Sequence, residues 1–281
     1  MNTNNVGMGA AGASTATAGT AAALFKIVFV VLFIVALYYV YKYIFTVPVT
    51  KSVTVFGPAK KASADEMTVA SNAIPPLVEG GEYTASFWMY INDWSHRNSM
   101  PKHVMSIGSP LSSTTGFETL LVYLGPTTNS LHIRTQAEDV ATTNTTAPLT
   151  VANVAKMFGQ LPATSTQTKG CDLETVEMQR WVNVTIAMNG RTTDVYLDGK
   201  LARSCVSSGF YRVPATGYQL NTFSYGGFGG FMSNLQLFDS ALNPEEVHKI
   251  YSTGPHGSQS FLDWLKSIFS PTEIAAGEYP K

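Results

Sequence analysis

Residues 179–201 constrain the fold more than any other part of the 281-residue chain. Within Trp181–Met188, large apolar side chains alternate with smaller or polar ones, which is the period-two pattern of a β-strand with one buried face. Asn189-Gly190 then predicts a type I′ hairpin turn, because both central residues of that turn need a positive φ. A second strand at Thr193–Leu197 follows, and Asp198-Gly199 predicts a second tight turn into a third strand.

Short strands separated by turn residues continue towards the N-terminus of this meander. The predicted strands are Val53–Phe56, Glu82–Trp94, Val104–Ile107, Leu120–Leu124 and Ser130–Arg134. Strands of this length and spacing are typical of an antiparallel β-sandwich. A short helix is predicted at Val151–Phe158, inside a long Thr/Ala-rich insertion at 142–170.

The C-terminal third adds a glycine-rich strand and a capped helix. In Phe223–Phe238 the glycines open a strand without the strand–turn–helix context of a dinucleotide-binding loop. They therefore predict a bend where another part of the backbone comes close. Asn243 fits a helix N-cap, Pro244 the first helical position and Glu246 the third, which together make a capping box.

Three of these stretches together resemble a laminin G-like domain of the concanavalin A-like lectin/glucanase superfamily. They are residues 82–90, residues 181–201, and Gly226–Phe238 with Leu242–Val247, in the family's order. The resemblance implies a mainly β fold, an antiparallel jelly-roll sandwich, over residues 80–255. The meander with its flanking cysteines is most similar to the version found in nucleocytoplasmic large DNA viruses, where the domain often follows an N-terminal membrane anchor.

Catalysis is not expected. Retaining glucanases of this fold carry Glu-x-Asp-x-x-Glu on a strand, with the carboxylates serving as nucleophile and acid. The nearest run in this chain, Asp172–Glu177, has the wrong order and precedes a strand instead of lying on one. We therefore predict a protein that is not an enzyme and has no catalytic residues.

No cofactor or metal site is predicted either. The five histidines are not paired at metal-ligand spacings. Some laminin G-like domains bind calcium at a sandwich edge, but no spacing selects a calcium site here; the available carboxylates are Asp93, Asp172, Asp194 and Asp198. The formal net charge of -1 provides no basic field, which argues against a nucleic-acid partner.

Cys171 and Cys205, the only two cysteines, flank the meander. The ends of a three-stranded meander can lie close together, so one disulfide is geometrically plausible. Closing a loop of roughly 35 residues would stabilise the fold by ~3–4 kcal/mol. Two free thiols in a reducing compartment are the alternative.

Leu24–Phe45 is predicted to be a single transmembrane helix that precedes the sandwich. Its apolar run extends ~33 Å as a helix, which matches the ~30 Å hydrocarbon layer of a bilayer. Lys26 lies within one turn of the start and can snorkel, and tyrosines cluster at the other end as an interfacial belt. The bilayer is therefore the first expected partner, and a buried core helix is the alternative.

The orientation of this anchor rests on opposing signals. The basic residues lie mainly after the segment, which places the sandwich on the cytoplasmic side; they are Lys42, Lys51, Lys60 and Lys61. Two glycosylation sequons, at Asn144 and Asn183, and the disulfide would instead suit a lumenal domain. We give the charge rule more weight, because sequons arise by chance in a Thr-rich chain and Asn183 lies within a predicted strand.

The remaining segments flank these two units. Residues 1–23 are small and polar and are predicted to be flexible, and residues 46–79 form a linker with the first strand. In the tail, residues 256–281, one face of a short helix is apolar: Phe261, Trp264, Leu265, Ile268 and Phe269. That face could pack on its own domain, contact the membrane interface or bind a partner.

Two functions follow as hypotheses. The first is a structural protein of a large DNA virus, a minor capsid or membrane protein of the virion's internal membrane that links the bilayer to neighbouring proteins of the shell. The alternative is a glycan-binding lectin or adhesin on a virion or cell surface. For the alternative, aromatic side chains would have to line a sugar platform; the candidates are Trp94, Tyr123, Tyr211 and Tyr218.

Overall fold

A computed structural model of the chain describes residues 26–40, 52–137, 149–159 and 170–255. The chain divides into two compact units, Met1–Val49 and Thr50–Lys281. In the first unit, residues 26–40 form a helix, α1, whose residues are all exposed. Within the described ranges, no helix combines the length and the apolarity that crossing a membrane requires. The predicted ends of the anchor, Leu24 and Phe45, lie outside the described residues.

The second unit is a β-sandwich of two antiparallel sheets, which confirms the predicted fold class. Its strands are β1 (Ser52–Phe56), β2 (Lys60–Lys61), β3 (Met67–Ala70), β4 (Glu82–Asp93), β5 (Lys102–Gly108), β6 (Glu118–Leu124), β7 (Leu131–Thr135), β8 (Trp181–Asn189), β9 (Thr192–Leu197), β10 (Lys200–Val206), β11 (Gln219–Thr222) and β12 (Gly229–Phe238). Two helices accompany them: α2 (Val151–Gly159) and α3 (Pro244–Ser252).

The strand order places late strands in the interior of both sheets. The seven-stranded sheet runs β1-β12-β4-β8-β9-β10, and β2 also pairs with β12. The five-stranded sheet runs β3-β11-β5-β6-β7. Apolar side chains from the facing surfaces of the two sheets form one core, which includes Phe87, Met89, Val122, Leu220 and Leu235.

The meander occupies one half of the seven-stranded sheet. As predicted, one face of β8 enters the core through Val182, Val184, Ile186 and Met188. The other face is also buried, from Asn183 to Ala187, because α3 covers this side of the sheet. The expectation of a strand with one solvent-exposed face is therefore wrong for β8.

The two turns of the meander differ from each other. Asp198 and Gly199 both have positive φ, as predicted for a type I′ turn. In the first turn Asn189 still pairs with Thr192, so the central residues are Gly190 and Arg191. Gly190 has a φ of 60° whereas Arg191 is not among the residues with positive φ, which is the φ pattern of a type II′ turn. The type I′ prediction for the first turn is therefore wrong by one residue.

The C-terminal helix begins as predicted. The side chain of Asn243 accepts a hydrogen bond from the backbone N–H of Glu246, and the Glu246 carboxylate accepts one from the backbone N–H of Asn243. This capping box satisfies backbone donors that a helix start would otherwise leave unpaired. Pro244 occupies the first turn, where a missing N–H has no cost.

Candidate functional site

The outer face of the seven-stranded sheet is closed by α3 and the residues that follow it. Val247 of this helix packs into an apolar cluster with Tyr196 and Phe238. Tyr251 stacks on Trp88, with ring centroids 5.5 Å apart. Beyond the helix, the backbone carbonyl of Pro255 accepts a hydrogen bond of 2.7 Å from Ser233 Oγ. In the described part of the chain, α3 and Pro255 therefore cover the middle of this face.

Asn183 lies beneath that cover and does not fit a glycosylated residue. It is 0% exposed. Its Nδ2 donates to the carbonyl of Phe87 at 3.3 Å, and its Oδ1 accepts from Thr185 at 3.3 Å. A glycan on Nδ2 would need both the space and the hydrogen bond that the fold already uses. The second sequon, Asn144, lies outside the described residues.

The outer face of the five-stranded sheet is closed by α2. Val154 and Phe158 of this helix pack on Leu121 and Tyr123 of β6. Tyr225 stacks on Phe158 from the other side, with centroids 5.0 Å apart and an interplanar angle of 6°. The helix predicted at Val151–Phe158 is confirmed, and its role is to cover this sheet.

Next to α2 lies a group of buried polar residues that we call the outer-face cluster: His103, Ser106, Glu118, Asn221 and Ser224. Strand pairing holds three of them together, because Ser106 pairs with Asn221 and the neighbouring Gly108 pairs with Glu118. The backbone N–H of Ser224 donates to His103 Nδ1 at 3.1 Å. Each of the five carries a buried side-chain atom without a hydrogen-bond partner in the described part of the chain.

Burial fixes the protonation states in this cluster. Burial raises the pKa of Glu118 to about 8, and the neighbouring Ser106 hydroxyl, which does not reach good hydrogen-bond geometry, opposes that rise only in part. Burial, followed by the positive charge of Arg97, lowers the pKa of His103 to about 3. At neutral pH Glu118 is therefore mainly protonated and His103 is neutral. The cluster holds no net charge under these conditions.

The cluster lacks the groups that glycoside hydrolysis needs. Glu118 is its only carboxylate, whereas retaining glycosidases use two carboxyl groups about 5–5.5 Å apart. Among residues 26–40, 52–137, 149–159 and 170–255, no three His, Cys, Asp or Glu side chains lie together as a metal site. At neutral pH, this cluster can hold a proton on the Glu118 carboxyl inside the fold.

Lys102 is a second buried ionisable residue, and it lies at the start of β5. Its ammonium donates to the carbonyls of Met100 and Pro126 at 3.3 and 3.4 Å. It also lies 4.3 Å from the ring centroid of Trp94, a cation–π contact. Burial, with a smaller contribution from the charge of Arg97, lowers the pKa of Lys102 to about 8.

The aromatic residues proposed for a sugar platform are used in packing. Tyr123 and Tyr211 are buried, and Tyr123 stacks on His132 with centroids 4.9 Å apart. The hydroxyl of Tyr218 accepts a hydrogen bond from the backbone N–H of Leu77. Trp94 is covered by the Lys102 ammonium. The structure does not bring these four residues to one surface.

At one edge of the five-stranded sheet, Asp172 joins β7 to the start of the meander. Its carboxylate accepts a hydrogen bond from Arg134 and lies 3.2 Å from His132 Nδ1. Burial alone would raise the pKa of Asp172, but the hydrogen bonds of His132 and Arg134 and the charge of Arg134 lower it to about 2. This residue, which was one of the calcium candidates, therefore serves an ion pair.

The structure joins Cys171 and Cys205 in a disulfide, with 5.7 Å between the Cα atoms and a sequence separation of 34. Cys171 begins the segment that pairs with β7, because its backbone N–H donates to the carbonyl of Ile133, and Cys205 is on β10. The bridge therefore connects the edge strand of the seven-stranded sheet to a segment that hydrogen-bonds to the other sheet.

We expect the double variant Cys171→Ser/Cys205→Ser to lose ~2–4 kcal/mol of unfolding free energy, because the bridge restricts the unfolded chain. Urea unfolding followed by tryptophan fluorescence measures the loss. The control is the unaltered protein unfolded with reductant, which should match the variant. A variant within ~0.5 kcal/mol of the oxidised protein would contradict the expectation.

The outer-face cluster and Lys102 were not anticipated from the sequence. The sequence predicts only parts of β5 and β6, at Val104–Ile107 and Leu120–Leu124, and does not predict β11, which carries Asn221. In addition, the covering helix α2 buries side chains that a strand pattern alone assigns to solvent. The one available signal was a charged residue at the start of each strand, Lys102 and Glu118. The tail residues Phe261, Trp264, Leu265, Ile268 and Phe269 lie outside the described residues.

Residues 156–248 match the family model of the concanavalin A-like lectin/glucanases superfamily, laminin G type. A search of curated protein sequences found no significant match. Among solved structures, the botulinum neurotoxin serotype D binding domain is 13% identical, with a TM-score of 0.44 over 72% of this chain and 46% of that one. A Trypanosoma rangeli sialidase in complex with sialic acid is 10% identical, with a TM-score of 0.41 over 64% of this chain and 24% of that one.

The chain spans less than half of these solved chains. The family match covers the five strands β8 to β12 completely, together with the end of α2 and the first part of α3. It therefore covers two of the three stretches on which the resemblance in the sequence rests, whereas residues 82–90 lie outside it. The two-sheet antiparallel architecture is the one expected of the concanavalin A-like lectin/glucanase superfamily, and residues 156–248 are similar to its laminin G type.

Proposed function

We propose that the protein is a non-enzymatic, membrane-anchored structural protein of a large DNA virus particle, in which the sandwich links the bilayer to the protein shell. The observation that carries the proposal is the surface of α1. Its large apolar side chains are exposed on every side, from 44% for Val35 to 72% for Phe29. A helix that is apolar all round requires burial in protein or lipid.

The apolar run in the sequence is longer than the described helix α1 and has the length that a bilayer requires. The apolar run continues from residue 40 to Phe45 and begins at Leu24, before the first described residue. As a continuous helix this segment would be ~33 Å long, which suits the ~30 Å hydrocarbon layer. The lysines that follow it favour a sandwich on the cytoplasmic, shell-facing side.

The closed faces of the sandwich support a structural role over a catalytic one. α2 and α3 cover the centres of the two outer faces, where an open sheet could otherwise form a substrate groove. The buried Glu118 has no second carboxylate beside it in the outer-face cluster. What the sandwich offers to partners is its edges and its two ends. No observation on the described residues favours the alternative, a glycan-binding adhesin.

Membrane fractionation tests the anchor. In sealed membranes from cells that express the full chain, we expect the protein to resist carbonate extraction and added protease to digest the sandwich from the cytoplasmic side. The variant Val31→Arg/Ile34→Arg should be released, because arginine at the centre of a bilayer helix costs ~2.5–3.5 kcal/mol per residue. Leu201→Arg, on the exposed strand β10, is the matched control and should stay bound.

Purified particles test the viral role. We expect the chain to remain with the internal membrane after the shell is stripped, and chemical cross-linking of intact particles to join its sandwich to shell proteins. Absence from purified particles would overturn the structural role while leaving the anchor intact. Specific binding to a glycan array together with absence from particles would favour the adhesin instead.

A further inference from the structure

Exposed apolar side chains collect at one end of the sandwich. The described part of the sandwich has four exposed large apolar residues: Val78, Leu201, Val206 and Phe210. We call three of them, Val78, Val206 and Phe210, the end patch; they are 63%, 73% and 54% exposed. The fourth, Leu201, lies at the other end of β10, near the Asp198-Gly199 turn. Such clustering of exposed apolar residues often marks an interaction site.

Turns of the backbone bring the end patch together. Val206 is the last residue of β10 and pairs with Thr192, next to the Gly190 turn. The ring of Phe210 lies over the backbone of Gly80, because a Cβ added at Gly80 would lie 2.9 Å from the ring. The same ring is close to Gly190, where an added Cβ would lie 3.6 Å from it. Val78 starts the turn that closes with a hydrogen bond from Gly81.

Two arginines and a glutamate lie close in sequence to residues of this patch or of its turns. Arg191 is exposed and donates from Nε to the carbonyl of Ser207 at 3.0 Å. Arg212 forms an ion pair with Glu79. An apolar tip with arginine side chains near it suits the boundary between acyl chains and headgroups, because arginine can keep its charge at headgroup level.

The strand register shows that the chain enters the sandwich at this same end. Ser52, at the start of β1, pairs with Phe238 of β12, which pairs with Thr84 of β4. Thr84 in turn pairs with Ala187 of β8. Ala187 lies two residues before the end of β8, and the Gly190 turn follows that end directly. Ser52 therefore lies at the level of the turns that carry the end patch.

Little chain separates α1 from that entry point. Residues 41–51 lie between the last described residue of α1 and Ser52. Fully extended, this segment spans at most ~40 Å, about the thickness of a bilayer with its headgroups. A tether of this length holds a second contact at high effective concentration, so a small apolar contact is sufficient.

We propose that the end patch is a lipid-contacting surface: Val78, Val206 and Phe210 insert into the interface of the bilayer that holds α1. The inference rests on the proposed membrane anchor. The proposed lipid contact gives the sandwich a defined orientation. The end at which the chain enters lies on the membrane, and the opposite end is directed away from it.

Photo-cross-linking tests this contact in the full chain, reconstituted into phosphatidylcholine vesicles at a low protein-to-lipid ratio. p-Benzoylphenylalanine replaces Phe210 or Val206, with the exposed Leu201 as the matched control and Phe33 of α1 as the anchor control. After irradiation, mass spectrometry counts lipid adducts. We expect roughly tenfold more lipid adduct at positions 206 and 210 than at 201, because only the end patch enters the interface.

The controls separate the two hypotheses. Lipid adducts at position 33 with equal, low yields at 201, 206 and 210 would overturn the lipid-contacting surface and leave the anchor standing. No lipid adduct at position 33 would overturn the anchor and the inference with it. Adducts at 206 or 210 that join two copies of the chain, in place of lipid, would assign the end patch to a protein interface and also overturn the proposal.

Discussion

Gly227→Ala should prevent the sandwich from folding. Gly227 has a φ of 53° and a ψ of -141°, a combination that glycine adopts and other residues avoid. An added Cβ would lie 1.8 Å from the backbone carbonyl oxygen of Ala62, which is not a flexible side chain that can move away. We expect a loss above ~4 kcal/mol, enough to unfold a marginally stable domain. Soluble yield and circular dichroism would report it.

Two other glycines supply the matched controls. Gly57→Ala changes neither φ nor packing, because nothing lies within 4 Å of the added Cβ, and should be within ~0.5 kcal/mol of the unaltered protein. Gly217→Ala meets no atom either, but its φ of 98° should cost ~1–2 kcal/mol. Equal stability of the Gly217 and Gly227 variants would show that the contact with Ala62 has no effect.

Glu118→Gln should stabilise the protein at alkaline pH and weaken the pH dependence of its stability. The pKa of Glu118 is raised by burial from 4.5 to about 8. Its favourable contribution is therefore complete below pH 4.5 and is lost as the pH rises through about 8. At ~1.4 kcal/mol per pH unit the loss amounts to about 3–5 kcal/mol, and a neutral glutamine avoids it. Urea unfolding at pH 5 and pH 9 measures the difference.

The exposed Glu174→Gln is the control for this experiment and should leave the pH profile unchanged. An unaltered profile for Glu118→Gln would contradict the assignment of the alkaline loss to this carboxyl. The loss of stability at acidic pH has other causes, and both variants retain them. His103, whose pKa is lowered to about 3, costs stability as the pH falls from 6.5 through 3. The ion pair of Asp172 is lost as the pH falls through about 2.

Local patterns in the sequence predicted the elements that local physics determines. The capping box of Asn243 and Glu246 and the Asp198-Gly199 turn depend on a few adjacent residues, and both are confirmed. The glycines before Phe231 were predicted to mark a close backbone approach. The structure places an added Cβ at Gly230 within 2.0 Å of the carbonyl of Tyr90, on the neighbouring strand β4.

Features that depend on tertiary packing could not be predicted from local sequence patterns. Burial of Glu118 and of the polar face of β8 follows from where α2 and α3 settle, and no periodicity in β6 or β8 encodes that position. The short strands β3 and β11 were missed because four residues are too few for a period-two pattern to be distinct. Their position is set by pairing, of β3 with β11 and of β11 with β5. The end patch joins residues that are far apart in the sequence.

The position of β11 and β12 has a consequence for the order in which the domain can form during synthesis. β12 lies between β1 and β4, and β11 lies between β3 and β5, although both emerge from the ribosome after every one of these partners. Until residue 222 has been made, β3 and β5 have open hydrogen-bonding edges, and β1 and β4 keep theirs until residue 238. Such non-local pairing is slow, and unpaired edges invite aggregation. We therefore expect the nascent sandwich to be prone to aggregation until its last strand has been made.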